Sequence, residues 1–153
     1  MPANRIAVKM PDYDHYIGVL LYTISKTQRN LAGAEFNKLG LHAGQERVLL
    51  CLGDHEGIGQ SDLVTHLCVE PPTVTKMLQR MEKSGLIERS QDSEDGRAFF
   101  VHATEQGRAL QEPILRVWDT LEEQMLANLS LTEQALLRRL LMQVLANLRG
   151  TGD

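Results

Sequence analysis

A mainly α fold carrying one short β-hairpin is what this sequence predicts, on three observations. Residues 71–83 join a proline start to an amphipathic repeat and a glycine stop at Gly85. Two β-like runs, 86–90 and 97–102, follow directly and bracket a polar, turn-rich segment. Wide apolar stripes at helical spacing mark both ends of the 153-residue chain.

Taken in order, Tyr16, Ile17, Leu20, Leu21, Ile24 and Leu31 form a helical stripe, so a first helix is expected over about 12–34. Val48, Leu49, Leu50, Cys51 and Leu52 mark a short apolar helix. Residues 60–67 make another, packing through Leu63, Val64 and Leu67, and Cys68, Val69 and Glu70 turn the chain into the next. Pro71 and Pro72 suit a first helical turn, where a missing N–H would have no partner anyway. Val74, Met77, Leu78 and Met81 recur at i, i+3, i+4 and i+7 and predict a buried stripe, which turns Thr73, Lys76, Arg80 and Lys83 outward. Gly85 can take the left-handed conformation that ends a helix. The hairpin then places Asp92, Glu94, Asp95 and Arg97 around its tip. Helix, tight turn, helix and hairpin together read as a winged helix-turn-helix lobe over about 40–103.

Beyond it, Leu110, Ile114, Val117, Trp118, Leu121 and Met125 predict one long helix from about 105 to 129, with Pro113 kinking it or marking its first turns. The last helix has Ser130 or Thr132 as a cap, Glu133 at its positive end, and a stripe of Leu136, Leu137, Leu140, Leu141, Val144, Leu145 and Leu148. Helices this apolar at both ends exceed what one small central lobe can cover, so a homodimer is expected, built on helices over about 12–34 and 105–149.

Short hydroxyls early on the helix at 71–83 and cations further along suit a phosphate-lined groove, where Thr and Gln meet base edges and Lys and Arg neutralise phosphates. The same pattern also fits an ordinary solvated face. The groove-facing candidates are Ser61, Pro72, Thr73, Thr75, Lys76, Gln79, Arg80, Lys83 and Arg89, with Asp95 and Arg97 on the wing.

The chain resembles the MarR (multiple antibiotic resistance regulator) transcription factors. The matching pieces are Gly40-Leu41, Gln45 to Leu49, Gln60 to Leu63, Pro71 to Lys76, Gly85 to Arg89, Asp95-Gly96-Arg97 and Thr104 to Gly107, in the family's order. The resemblance implies a two-fold dimer with interleaved terminal helices. It also implies a wing whose Arg97, paired with Asp95, reaches into a minor groove, where the enhanced negative potential favours a guanidinium. Two-fold symmetry predicts a palindromic operator with half-sites about 10 base pairs apart. His42 stands where the family has Thr or Ser, Glu46 where an aromatic is common, and Ala103 where Leu is usual. Gln91 and Gly96 occupy positions often filled by Arg, so weaker and more salt-sensitive wing contacts are expected.

The resemblance also implies a small aromatic or anionic effector bound between the dimerisation helices and the DNA-binding lobe, releasing a repressor from double-stranded DNA. His15, Tyr16, Tyr22, Phe36 and His42 are candidate lining residues, although each taken singly is better explained as core or surface. Two alternatives concern sensing. Cys68, before the recognition helix, would serve a redox switch, although no cation adjoins it in sequence. Cys51 and His55, at i and i+4, would hold one metal ion on a helix face and serve a zinc-responsive regulator, but no second ligand pair accompanies them, and no metal site is predicted.

The net charge of −4 is unusual for a DNA-binding protein and fits a winged-helix protein-interaction module instead. Against that, Lys76, Arg80, Lys83, Arg89 and Arg97 cluster at the proposed groove-facing surface. No phosphate-cradling glycine loop, HExxH or G-x-S-x-G is present, so neither an enzyme nor a cofactor is expected. No apolar run follows a charged N-terminus and none approaches a membrane span, so a cytoplasmic protein is expected.

Overall fold

The computed structural model describes residues 15–53, 55, 57–91 and 99–150. Its elements are α1 (Ile17–Lys38), α2 (Gln45–Leu52), β1 (Ile58–Gly59), α3 (Gln60–Leu67), α4 (Pro71–Lys83), β2 (Ile87–Gln91), β3 (Phe99–Ala103), α5 (Glu105–Ala109), α6 (Gln111–Met125) and α7 (Leu131–Arg149). No described helix is long and apolar enough to cross a membrane.

The core lies where α2, α3 and α4 meet the sheet and the first half of α6. Val48, Leu49, Leu52, Leu63, Val74, Leu78, Met81, Val101 and Ile114 are all fully buried there. The expected stripe of α4 is thus on the inside, with Met77 only partly covered. Pro71 opens α4 at its first position, and the helix ends with Leu86 N–H donating to Met81 O at 2.9 Å and Gly85 N–H to Glu82 O at 3.0 Å. With Gly85 at φ +75 this is a left-handed glycine stop, in which orphan carbonyls of the last turn find donors. Gly40 ends α1 in the same way, with Leu41 N–H on Phe36 O and Gly40 N–H on Asn37 O, both at 3.0 Å.

Several expectations need correction. α1 runs four residues past the expected end at 34, and residues 12–14 lie outside the described residues. The expected two-stranded hairpin is part of a three-stranded antiparallel sheet in the order β1-β3-β2, with Ile58 opposite Val101 and Ile87 opposite Ala103. The expected long helix over 105–129 is two helices that meet at Leu110, and the second ends at Met125. Pro113 accounts for the break: it has no N–H to donate four residues back to Ala109. It sits instead in the first turn of α6, where an N–H would have no intrahelical partner. At the far end, Ser130 caps α7. Its Oγ accepts from Glu133 N–H at 3.3 Å, while the Glu133 carboxylate accepts from Ser130 N–H at 2.8 Å.

α7 buries none of its residues in the single chain. Leu136, Leu137, Leu140, Leu141, Met142, Leu145 and Leu148 are all exposed, as are Tyr16, Ile17, Leu20 and Ile24 at the start of α1.

Candidate nucleic-acid interface

The candidate surface begins with the outward side of α4. Because Val74, Leu78 and Met81 point into the core, helical geometry turns Pro72, Thr73, Lys76, Gln79, Arg80 and Lys83 to solvent, and all six are exposed. Ser61 is exposed on the first turn of α3. Thr75 is half-buried and engaged: its hydroxyl donates to Pro71 O at 3.0 Å and accepts from Gln60 Nε2 at 3.2 Å. That bond ties the start of α3 to the first turn of α4, so Thr75 helps set the angle at which α4 is presented.

Arg89 is placed differently from the other cations. On β2, its Nε and Nη2 both donate to Glu82 Oε2, at 2.9 and 2.5 Å, and its guanidinium lies 5.9 Å from the centre of the Phe99 ring. The pair braces the sheet against the last turn of α4 and leaves Arg89 less free to meet a phosphate than Lys76, Arg80 or Lys83. Asp95 and Arg97 lie outside the described residues.

A cleft of about 280 Å³ opens between α4 and the start of α2, lined by His42, Ala43, Gln45, Thr73, Lys76, Met77 and Arg80. The two helices approach closely there: a side chain on Gly44, at φ +88, would start 2.7 Å from Met77 Cε. Gln45 is buried, and its Oε1 accepts from His42 N–H at 2.9 Å. The cleft therefore has a fixed floor and two exposed cations at its rim. Of the five residues expected to line an effector pocket, His42 alone reaches it. His15 and Tyr16 stack on each other with ring centres 4.1 Å apart at the exposed start of α1, and Tyr22 is 66% exposed. Phe36, about 30 Å along the same helix from Tyr16, is a core residue packed edge-on against Trp118 at 5.5 Å. The five do not converge within one chain.

Glu46 was visible in the sequence only as an unusual residue. It is buried beside the N-terminus of α2, and its Oε2 has no hydrogen-bond partner among the described residues. Burial pushes its carboxyl above the ordinary range, against the opposing pull of the Glu46 and Gly44 N–H groups and the Arg47 charge. The proposed metal pair does not form a helix face. α2 ends at Leu52 and Gly53 turns the chain away at φ +45, so His55 is off the helix that carries Cys51. Among the described residues no group of three potential metal ligands occurs. Cys68 is exposed at φ +52, with Sγ 3.5 Å from Thr65 O.

Known proteins share this arrangement. Residues 41–99 match the model of the MarR family. The chain is 31% identical over 131 residues to YdgJ of Bacillus subtilis, described as an uncharacterised HTH-type transcriptional regulator, covering 85% of this chain and 77% of that one. Its fold superposes on a crystal structure of MarR with a TM-score of 0.76 and 30% identity, over 89% of this chain and 92% of the other. It likewise superposes on a mutant MarR from E. coli complexed with operator DNA, with a TM-score of 0.75 and 28% identity, over 84% and 92%. An exposed, cation-bearing α4 seated on a buried stripe, beside a short antiparallel sheet and within this sequence likeness, places the chain in the MarR family of transcriptional regulators.

Proposed function

We propose that the chain acts in the cytoplasm as a homodimeric repressor, holding a palindromic operator in double-stranded DNA through α4 and the wing and releasing it when a small aromatic or anionic effector binds. The observation that carries this reading is the exposed row of Thr73, Lys76, Gln79, Arg80 and Lys83 on a helix whose opposite side is locked into the core. Thr73 near the start of the helix and Gln79 further along suit base edges, and Lys76, Arg80 and Lys83 suit phosphates. With a net charge of −4, non-specific attraction is weak, so affinity leans on specific contacts and on two half-sites engaged together. The uncovered apolar sides of α1 and α7 supply the surface for pairing two copies. The cleft holding His42, Lys76 and Arg80 suits an anionic effector, because an acid bound there would occupy cations that otherwise face DNA.

The test is a gel shift with a nuclease footprint and a salt titration, on duplexes from the DNA beside the protein's own gene. A protected palindrome with half-sites about 10 base pairs apart is expected. Arg80→Ala should weaken binding and lower the salt slope by about 1, as loss of one phosphate contact does. Arg97→Ala should weaken binding while the dimer persists. A folded dimer that binds no duplex at low salt would sink the reading in favour of a protein-interaction module.

A further inference from the structure

The joint between the two halves of the chain is built around one amide. Gln111, the first residue of α6, turns its Nε2 toward the C-terminal end of α2 and donates to Leu49 O at 3.1 Å and Gly53 O at 3.0 Å. These carbonyls belong to the end of a helix, where intrahelical donors run out. Leu49 O also accepts from Gly53 N–H at 3.1 Å. Seven residues earlier the same segment is fastened to the stop of the recognition helix. Thr104 N–H donates to Leu86 O at 3.1 Å and Thr104 Oγ1 to Gly85 O at 2.7 Å. Gly107 then passes so close to Leu86 O that no side chain fits between them, and Leu49 Cδ2 also crowds the place a Cβ would take. Beyond Gln111, α6 packs along α1, with Ile114 and Leu121 buried and Trp118 on Phe36. Residues 104–111 therefore touch the end of α4, the end of α2 and the beginning of the arm.

We propose that Gln111 is a positioning residue for operator binding: by pinning the root of α6 to the C-terminus of α2, it fixes the angle between the α1–α6–α7 arm and the lobe carrying α4. In a dimer that angle sets the separation of the two recognition helices. This rests on the dimeric reading given above. On one side of the joint a main-chain bond from Thr104 N–H to Leu86 O backs up the Thr104 hydroxyl, whereas the other side depends on a side chain with donors to spare. Leucine of similar volume at 111 would keep the packing and free the hinge. Lysine would restore a donor and favour the negative end of α2.

The test reads the angle without DNA. A nitroxide is placed on exposed Cys68 of the full-length chain, with Cys51 replaced by alanine, and the distance between labels in the dimer is measured by pulsed electron resonance. Native Gln111 and Gln111→Lys should give one narrow distribution. Gln111→Leu should give a broad, shifted one, with sedimentation showing the same dimer. On an operator series whose half-sites are moved apart or together by single base pairs, Gln111→Leu should lose about tenfold at the native spacing and discriminate less between spacings. Identical distributions for native and Gln111→Leu in folded dimers overturn the proposal, as does a Gln111→Lys protein as broad as Gln111→Leu, which would assign the residue to space filling. A native protein that sediments as a monomer removes the dimeric reading and this inference with it. A dimer with a narrow native distribution that binds no DNA removes the repressor function and the operator-binding role of Gln111 with it, and leaves its hold on the hinge angle to be decided by the label distances.

Discussion

Glu46 carries a carboxylate into a place where an aromatic side chain is common in the resembled family, and the chain tolerates it at a cost. Its Oε2 is buried without a partner among the described residues, and burial raises its carboxyl above the ordinary range. A group whose folded-state pKa is raised contributes stability that is complete below its unfolded value and is lost as pH rises through the folded value. The native protein should thus lose this contribution as pH rises from the ordinary carboxylate range through the raised value. Glu46→Gln keeps the shape and removes the buried charge. It should stabilise the chain by about 1 kcal/mol at pH 7 and leave little difference near pH 4, measured by urea unfolding across that range. An equal difference at both pH values would show that the carboxylate charge is not the source. Residues of this kind mark the limit of sequence reading. The stripe of Val74, Leu78 and Met81 is periodic and so was legible, while the burial of Glu46 and of Phe36 depends on which segments fold over them. The Cys51–His55 pair shows the same limit, since it needs α2 to continue three residues beyond its actual end.

Elements were legible where local chemistry determines them. α3 and α4 announce themselves by apolar spacing, the prolines at 71 and 72 and the glycine at 85, and α7 by the Ser130 and Glu133 cap. β1 was not, because two residues carry no period, and Ile58–Gly59 is a strand only through its partners Val101 and Phe100. The division of α5 from α6 was half visible in Pro113. What the sequence did not display is the reason α5 docks where it does, namely the close passage of Gly107 over Leu86 O. Gly107→Ala should therefore destabilise the chain by about 1–3 kcal/mol, since the obstacle is backbone and cannot rotate away. Gly33→Ala, within α1 and with open space around it, should instead stabilise by up to about 1 kcal/mol. Thermal unfolding of the two variants side by side checks this, and similar shifts in both would mean that helix propensity, not the contact with Leu86, governs position 107.

At the scale of the whole molecule, the chain divides into a lobe that buries its own core and an arm that does not. Ile114 anchors α6 to the lobe and Leu121 lies against α1, but α7 has no buried residue and shows leucines along its length. An uncovered apolar helix of this kind is stable in water when something covers it, and the proposed second copy does so while setting two α4 helices on one duplex. Leu136 and Leu140 are 47% and 46% exposed in the single chain, so replacing them spares the lobe's core. Leu136→Glu with Leu140→Glu should yield a monomer by sedimentation whose lobe still folds. Its affinity for a palindromic duplex should fall by about 10²- to 10⁴-fold, the advantage that linking two sites confers, while its weak binding to a duplex with one half-site stays unchanged. That contrast separates dimerisation from recognition: equal losses on both duplexes would show that the arm shapes the α4 surface itself, and a variant that remained dimeric would move the interface away from α7, toward the exposed start of α1.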